Sequence, residues 1–196
     1  KKKYYLNYIF DLLDLIHEKK VDNNFVFPID INLEKSISEI LLENKNYIGI
    51  APGAGEKNKI WPIENFIEIC NYIENKNINL VFFIGPDEIH LKEMLINLFP
   101  NSIFIEDKID GYSNIEIVMA STKFLQLAIS NDSGVSHMLS TGHCPLIKLF
   151  GPKDPKKFTP DNKKLHSISS NEFNSTNINK ITVDRVIKEI NKLLFD

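Results

Sequence analysis

The 196-residue chain is 43% hydrophobic and 25% charged, with a formal net charge of −3, which excludes intrinsic disorder because the apolar content is high and the charge imbalance small. No apolar run reaches the ~20 residues of a membrane span, and Lys1-Lys2-Lys3 leads into Tyr4-Tyr5-Leu6-Asn7-Tyr8 rather than the apolar core of a signal peptide. The slightly acidic balance also argues against a nucleic-acid partner.

The length suits one domain, and without an initiator Met the expectation is a piece of a longer protein or a trimmed chain. Apolar residues at helical spacing (Leu6, Ile9, Phe10, Leu13, Ile16) predict an amphipathic helix over 4–19. Residues 25–31 read as extended, interrupted by Pro28, and 33–43 as a short helix with Asn32 as its N-cap. Tyr47–Ala51 is a buried strand ending in the loop Pro52-Gly53-Ala54-Gly55. Pro62 opens a helix to about Asn75, at a position where a missing N–H costs nothing.

Leu80–Ile84 is a strand ending at Gly85-Pro86, followed by a helix to about Leu98 and a strand over Ser102–Ile105. Residues 114–121 are helical, Phe124–Ser130 is a strand, Ser133–Thr141 a helix and Leu146–Phe150 a strand that stops at Gly151-Pro152. A polar stretch then leads to a closing amphipathic helix over Ile181–Phe195. Apolar strands alternating with helices predict an α/β fold, a parallel sheet covered on both faces. Residues 1–32 are expected to form a helical linker or brace and 33–196 the sheet domain.

In such sheets ligands bind beyond the carboxyl ends of the strands, and the glycine loops at Gly53/Gly55, Gly85, Gly134 and Gly151 all fall there. In Ser130-Asn131-Asp132-Ser133-Gly134-Val135-Ser136-His137 a strand delivers a carboxylate directly to a helix start. The N–H groups of Ser133, Gly134 and Val135 suit an anion, and Gly134 admits close approach to the backbone. Asp132 suits hydroxyls of a group attached to that anion, which together describes a sugar esterified to a pyrophosphate. Taken alone, the segment is better explained by simple helix capping by Asp132 or Ser133.

Lys59, held next to Trp61-Pro62, can bring an ammonium to phosphate, although loop lysines are usually solvated. Only Arg185 is an arginine, so phosphate must be met by lysine and backbone N–H groups rather than by guanidinium. There is no Gly-Lys-Ser/Thr phosphate loop and no Gly-x-Gly-x-x-Gly after a strand. Glu88, after Gly85-Pro86, is either a ribose ligand or a helix-start acid. His137 either donates to phosphate or braces the loop. The other histidines share no metal-ligand spacing, and Trp61 reads as core. Cys70 and Cys144 form neither a disulfide framework nor a zinc pattern, which suggests a reducing, cytoplasmic compartment. Cys70 reads as core filler.

The series Pro52-Gly53-Ala54…Lys59-x-Trp61-Pro62, Gly85-Pro86-x-Glu88, Ser130-Asn131-Asp132-Ser133-Gly134-x-x-His137 and Leu149-Phe150-Gly151-Pro152-x-Asp154-Pro155 resembles glycosyltransferase family 9, the ADP-heptose:lipopolysaccharide heptosyltransferases and their relatives. The resemblance covers roughly residues 47–160. It implies a GT-B architecture of two Rossmann-like domains, of which this chain resembles the C-terminal, nucleotide-sugar-binding half. By motif match, Ala54, Gly55 and Lys59 would contact the donor phosphates and Glu88 the ribose. Asp132 would meet the sugar hydroxyls, while Ser133, Gly134 and His137 would surround the pyrophosphate. The loop near Tyr112-Ser113 would lie by the base.

The family's catalytic base lies in the N-terminal acceptor domain, so no catalytic residue is expected within this chain. The reaction implied is inverting transfer of heptose or a similar sugar to a lipopolysaccharide or surface-glycan acceptor. It needs no metal or other cofactor. The implied partners are a nucleotide-sugar donor and a glycan or glycolipid acceptor, with peripheral contact at the inner face of the inner membrane. The alternatives are a non-catalytic nucleotide-binding or interaction module of the same fold and, ranked last, a nucleotide-sugar epimerase.

Overall fold

The computed structural model describes residues 28–159 and 163–196, together with Leu15, which is helical. The remainder of the helix expected over 4–19, residues 25–27, and most of the expected brace over 1–32 lie outside the described residues.

A six-stranded sheet organises the chain: β1 (Tyr47–Ala51), β2 (Asn79–Phe82), β3 (Ile103–Phe104), β4 (Leu127–Asn131), β5 (Leu146–Phe150) and β6 (Leu165–Ser169). Every pairing is parallel, and the order across the sheet is β3-β2-β1-β4-β5-β6. This is the doubly wound arrangement of a dinucleotide-type fold, as the alternating pattern predicts.

Strand periodicity sorts side chains onto two faces. Ile48, Ile50, Leu80, Phe82, Leu127, Ile129, Ile147 and Leu149 face one core, shared with α2 (Ile63–Glu74), α3 (Ile89–Leu98) and α6 (Val183–Leu194). Tyr47, Ala51, Val81, Phe83, Ala128 and Leu146 face the other, shared with α1 (Ile31–Ile40), α4 (Asn114–Ser121) and α5 (Gly134–Ser140). Both thiols are buried and free, Cys70 as core filler, and burial pushes Cys144 up to about 12.

Three local readings are corrected. Asp30, not Asn32, caps α1: its carboxylate accepts the N–H groups of Asn32 at 2.7 Å and Leu33 at 3.2 Å. Of the segment read as extended over 25–31, Ile31 is therefore already helical. Residues 165–169, read as part of a polar stretch, form the edge strand β6, pairing from Leu146↔Leu165 to Phe150↔Ser169. An edge strand covers only part of its surface, so Leu165-His166-Ser167-Ile168-Ser169 carries little apolar signal. The strand expected over Ser102–Ile105 shortens to two residues because a 3₁₀ turn begins at Ile105.

Glu106 lies in that turn and accepts the Ile84 N–H at 3.3 Å. Burial pushes its carboxyl up from 4.5 to about 7. A raised folded-state value means the group's contribution is complete below about 4.5 and is lost as pH rises through about 7. Glu106→Gln is expected to be near neutral at pH 5 and to stabilise the fold by about 1 kcal/mol at pH 8. Urea-denaturation midpoints at the two pH values read the difference.

Candidate functional site

The strand order reverses between β1 and β4, and their carboxyl ends open the crevice in which doubly wound sheets bind ligands. Asn131, fully buried, ties the two loops of that crevice together. Its Nδ2 donates to the Pro52 carbonyl at 2.6 Å, and its Oδ1 accepts the Trp61 N–H at 3.2 Å. Trp61 is core, as its sequence context indicates: its Nε1 donates to the Ile181 carbonyl at 2.9 Å, and its ring meets Phe66 edge-on at 5.1 Å. The backbone two residues after Lys59 is thereby fixed.

Here lies a cavity of about 390 Å³ lined by Gly55, Glu56, Lys59, Asp132, Ser133, Gly134, His137, Lys153 and Phe158. Six of the residues singled out from sequence therefore share one wall: Gly55, Lys59, Asp132, Ser133, Gly134 and His137. Ala54 is buried and off this wall. Glu88 is also off it, with its carboxylate lying over Gly53 and Gly85. A Cβ at Gly53 would displace that carboxylate, the far end of a flexible side chain. Tyr112 and Ser113 perform local work: the Tyr112 hydroxyl donates to Asp30 at 3.1 Å, and Ser113 caps α4.

The anion reading of the α5 start needs one correction. Ser133 and Ser136 form a reciprocal capping box, the Ser133 N–H donating to Ser136 Oγ at 3.2 Å and the Ser136 N–H to Ser133 Oγ at 3.3 Å. The Ser133 amide is thus occupied, and capping and cavity lining coexist at this turn. Gly134 still faces open space, for a Cβ there would meet nothing within 4 Å. The amides of Gly134 and Val135 are first-turn groups without intrahelical acceptors.

Charge is concentrated around Asp132. Its Oδ1 lies 2.7 Å from Lys148 Nζ and its Oδ2 3.7 Å from Lys59 Nζ, which also pairs with Glu56 at 2.8 Å. Lys148 sits in the middle of β5 and is 2% exposed. Burial pushes its ammonium below the ordinary lysine range, opposed by the bond to Asp132. Its Nζ also lies 5.0 Å from the Phe150 ring centroid. Partial burial, reinforced by the Lys148 charge, holds the His137 imidazole below its usual value and favours the neutral ring.

Sequence reasoning assigned no role to Lys148, Lys153 or Phe158. For Lys148 a signal existed: a lone charge inside the apolar run Leu146-Ile147-Lys148-Leu149-Phe150 requires a buried partner. Among the described residues, no group of three or more His, Cys, Asp or Glu is placed to hold a metal ion. No helix among them is long and apolar enough to cross a membrane.

The family model for glycosyltransferase family 9 (heptosyltransferase) matches residues 12–185. The lipopolysaccharide heptosyltransferase 1 of Campylobacter coli is 29% identical over 180 residues, covering 90% of this chain and 47% of that protein. The lipopolysaccharide core heptosyltransferase OpsX of Haemophilus influenzae is 29% identical over 126 residues, covering 64% of this chain and 36% of that protein. In each case the match spans less than half of the relative's length. A glycosyl transferase family 9 crystal structure from Veillonella parvula superposes with a TM-score of 0.82 at 19% identity, covering 99% of this chain and 60% of that one, a likeness of fold. The family match runs through most of the sequence, and the motifs that carry it meet at the carboxyl edge of the sheet: the chain belongs to glycosyltransferase family 9.

Proposed function

We propose that this chain forms the donor-binding half of an inverting glycosyltransferase that moves heptose or a similar sugar from a nucleoside diphosphate, ADP-heptose in the first instance, to a lipopolysaccharide or surface-glycan acceptor. The observation that carries the reading is the cavity at the β1/β4 crevice, where Lys59 and Lys153 face Asp132 and the open backbone of Gly134. The two ammonium groups are suited to direct, charge-assisted contact with diphosphate oxygens. Asp132 offers Oδ2 to a saccharide hydroxyl.

In the transfer, the acceptor oxygen attacks the anomeric carbon as the bond from that carbon to the phosphate oxygen breaks. The nucleoside diphosphate leaves with the electron pair, and the acceptor's proton passes to a base. Stabilising the departing diphosphate is the role assigned to this chain; the base and the acceptor site are assigned to the partner domain of the GT-B pair. The acceptor's lipid anchor places the enzyme at the inner face of the inner membrane.

Calorimetric titration with ADP, ADP-heptose and UDP-sugars tests the reading. ADP-heptose is expected to bind, and Lys59→Met to weaken ADP by about tenfold to thirtyfold through loss of a charge-assisted contact. Failure of all these ligands to bind would overturn the donor-site reading.

A further inference from the structure

The ionisable side chains on the cavity wall balance. Lys59 and Lys153 oppose Glu56 and Asp132, and burial disfavours a charge on His137. An esterified diphosphate would therefore enter a site with no net attraction. The charge that breaks this balance is beneath the wall. Lys148 extends from the centre of β5, on the sheet face it shares with Leu146, and reaches Asp132 Oδ1 at 2.7 Å.

Core stability does not account for a lysine there. A buried ion pair is commonly no more stabilising than apolar residues of the same volume, and both flanking positions on that face, Leu146 and Phe150, are apolar and fully buried. Its ladder partner Ser130 is also polar, and the buried Ser130 hydroxyl has no hydrogen-bond partner among the described residues. Lys148 thus sits between Ser130 of β4 and Ser167 of β6 in a polar row across the sheet, flanked along its own strand by Leu146 and Phe150.

We propose that Lys148 is a positioning residue of the donor site: its buried ammonium cancels the charge of Asp132 and holds Oδ1, so that the cavity is net positive toward a diphosphate and Asp132 presents only Oδ2 to the saccharide. This inference rests on the donor-binding reading above. It makes Lys148 matter for the diphosphate without touching it, and it makes the Asp132 contact to the sugar one-sided.

Calorimetric titration of the chain with ADP, UDP and GDP, and with the matching nucleoside monophosphates, provides the test. The proteins compared are the unaltered chain, Lys148→Met and the double variant Lys148→Met/Asp132→Asn. Lys148→Met is expected to weaken the nucleoside diphosphate by about tenfold and the monophosphate less, as a change in local charge requires. The double variant, with both charges removed, is expected to return to within about threefold of the unaltered chain.

Diphosphate binding by Lys148→Met within twofold of the unaltered chain overturns the inference. So does an equal loss for mono- and diphosphate, the signature of a merely structural role. A loss that Asp132→Asn does not repair also overturns it. If Lys148→Met fails to fold, the double variant decides alone, since it leaves no unpaired buried charge. Affinity within threefold then supports the inference, and a tenfold loss overturns it. Failure of the unaltered chain to bind any of the three diphosphates instead overturns the donor-site reading, on which the role of Lys148 depends.

Discussion

Gly134→Val is expected to lower nucleoside-diphosphate affinity by about a hundredfold, close to 2.7 kcal/mol, while the fold survives. The glycine opens α5 and lines the cavity. A Cβ at this position would meet nothing within 4 Å, and the backbone there is not left-handed. A valine side chain therefore has room in the unliganded chain and costs no strain. The same methyl groups occupy the space through which a phosphate must approach the Gly134 and Val135 amides. Calorimetric titration with ADP paired with thermal melting separates the two effects. Unchanged affinity would show that the ligand does not approach this turn, and a collapsed melting transition would show that the glycine is needed by the fold.

Asn131→Ala is expected to destabilise the chain by about 3 kcal/mol and to weaken donor binding as well. The side chain is fully buried and bridges Pro52 and Trp61, the two ends of the loop that carries Lys59. Truncation leaves a carbonyl and an N–H unpaired away from water, each costing about 1–3 kcal/mol. Asn131→Asp is expected to fare no better, because a carboxylate retains the acceptor for Trp61 but places its second oxygen against the Pro52 carbonyl. Urea denaturation measures the stability change, and loss below 1 kcal/mol would mean that water or a loop shift replaces both bonds. Lys59→Met, by contrast, is expected to cost little stability, because Asp132 keeps its closer pair with Lys148 at 2.7 Å when the Lys59 ammonium at 3.7 Å is removed, and Glu56 is left in solvent.

The central strands were legible because burial on both faces leaves continuous apolar runs, as in Tyr47-Ile48-Gly49-Ile50-Ala51 and Leu146–Phe150. Asp132, Ser133 and Gly134 were legible as candidates because they follow a strand directly and open a helix, a local pattern that needs no knowledge of distant chain, and they do line one cavity. Trp61 was legible as core. β6 was not, since its strand character comes from pairing with β5 rather than from its own composition. Asp30 displaced Asn32 as the cap of α1 because two residues with competent side chains stood near the boundary, and only backbone geometry selects between them.

The sequence by itself determined the layer architecture, the edge of the sheet on which chemistry could occur, and the residue types available there. Only the tertiary structure decided which of those residues share a cavity. Lys59 and Asp132 stand 73 positions apart in sequence and meet because β1 pairs with β4. Lys148 reaches Asp132 because the β4–β5 register brings Lys148 level with Ser130. Glu88 and Ala54 belong to the same motif series yet stand off the cavity wall. Periodicity and capping act over a few residues and are written in the local chain. Strand order and register are set by packing across the whole sheet, so charge pairing at the site follows from that assembly.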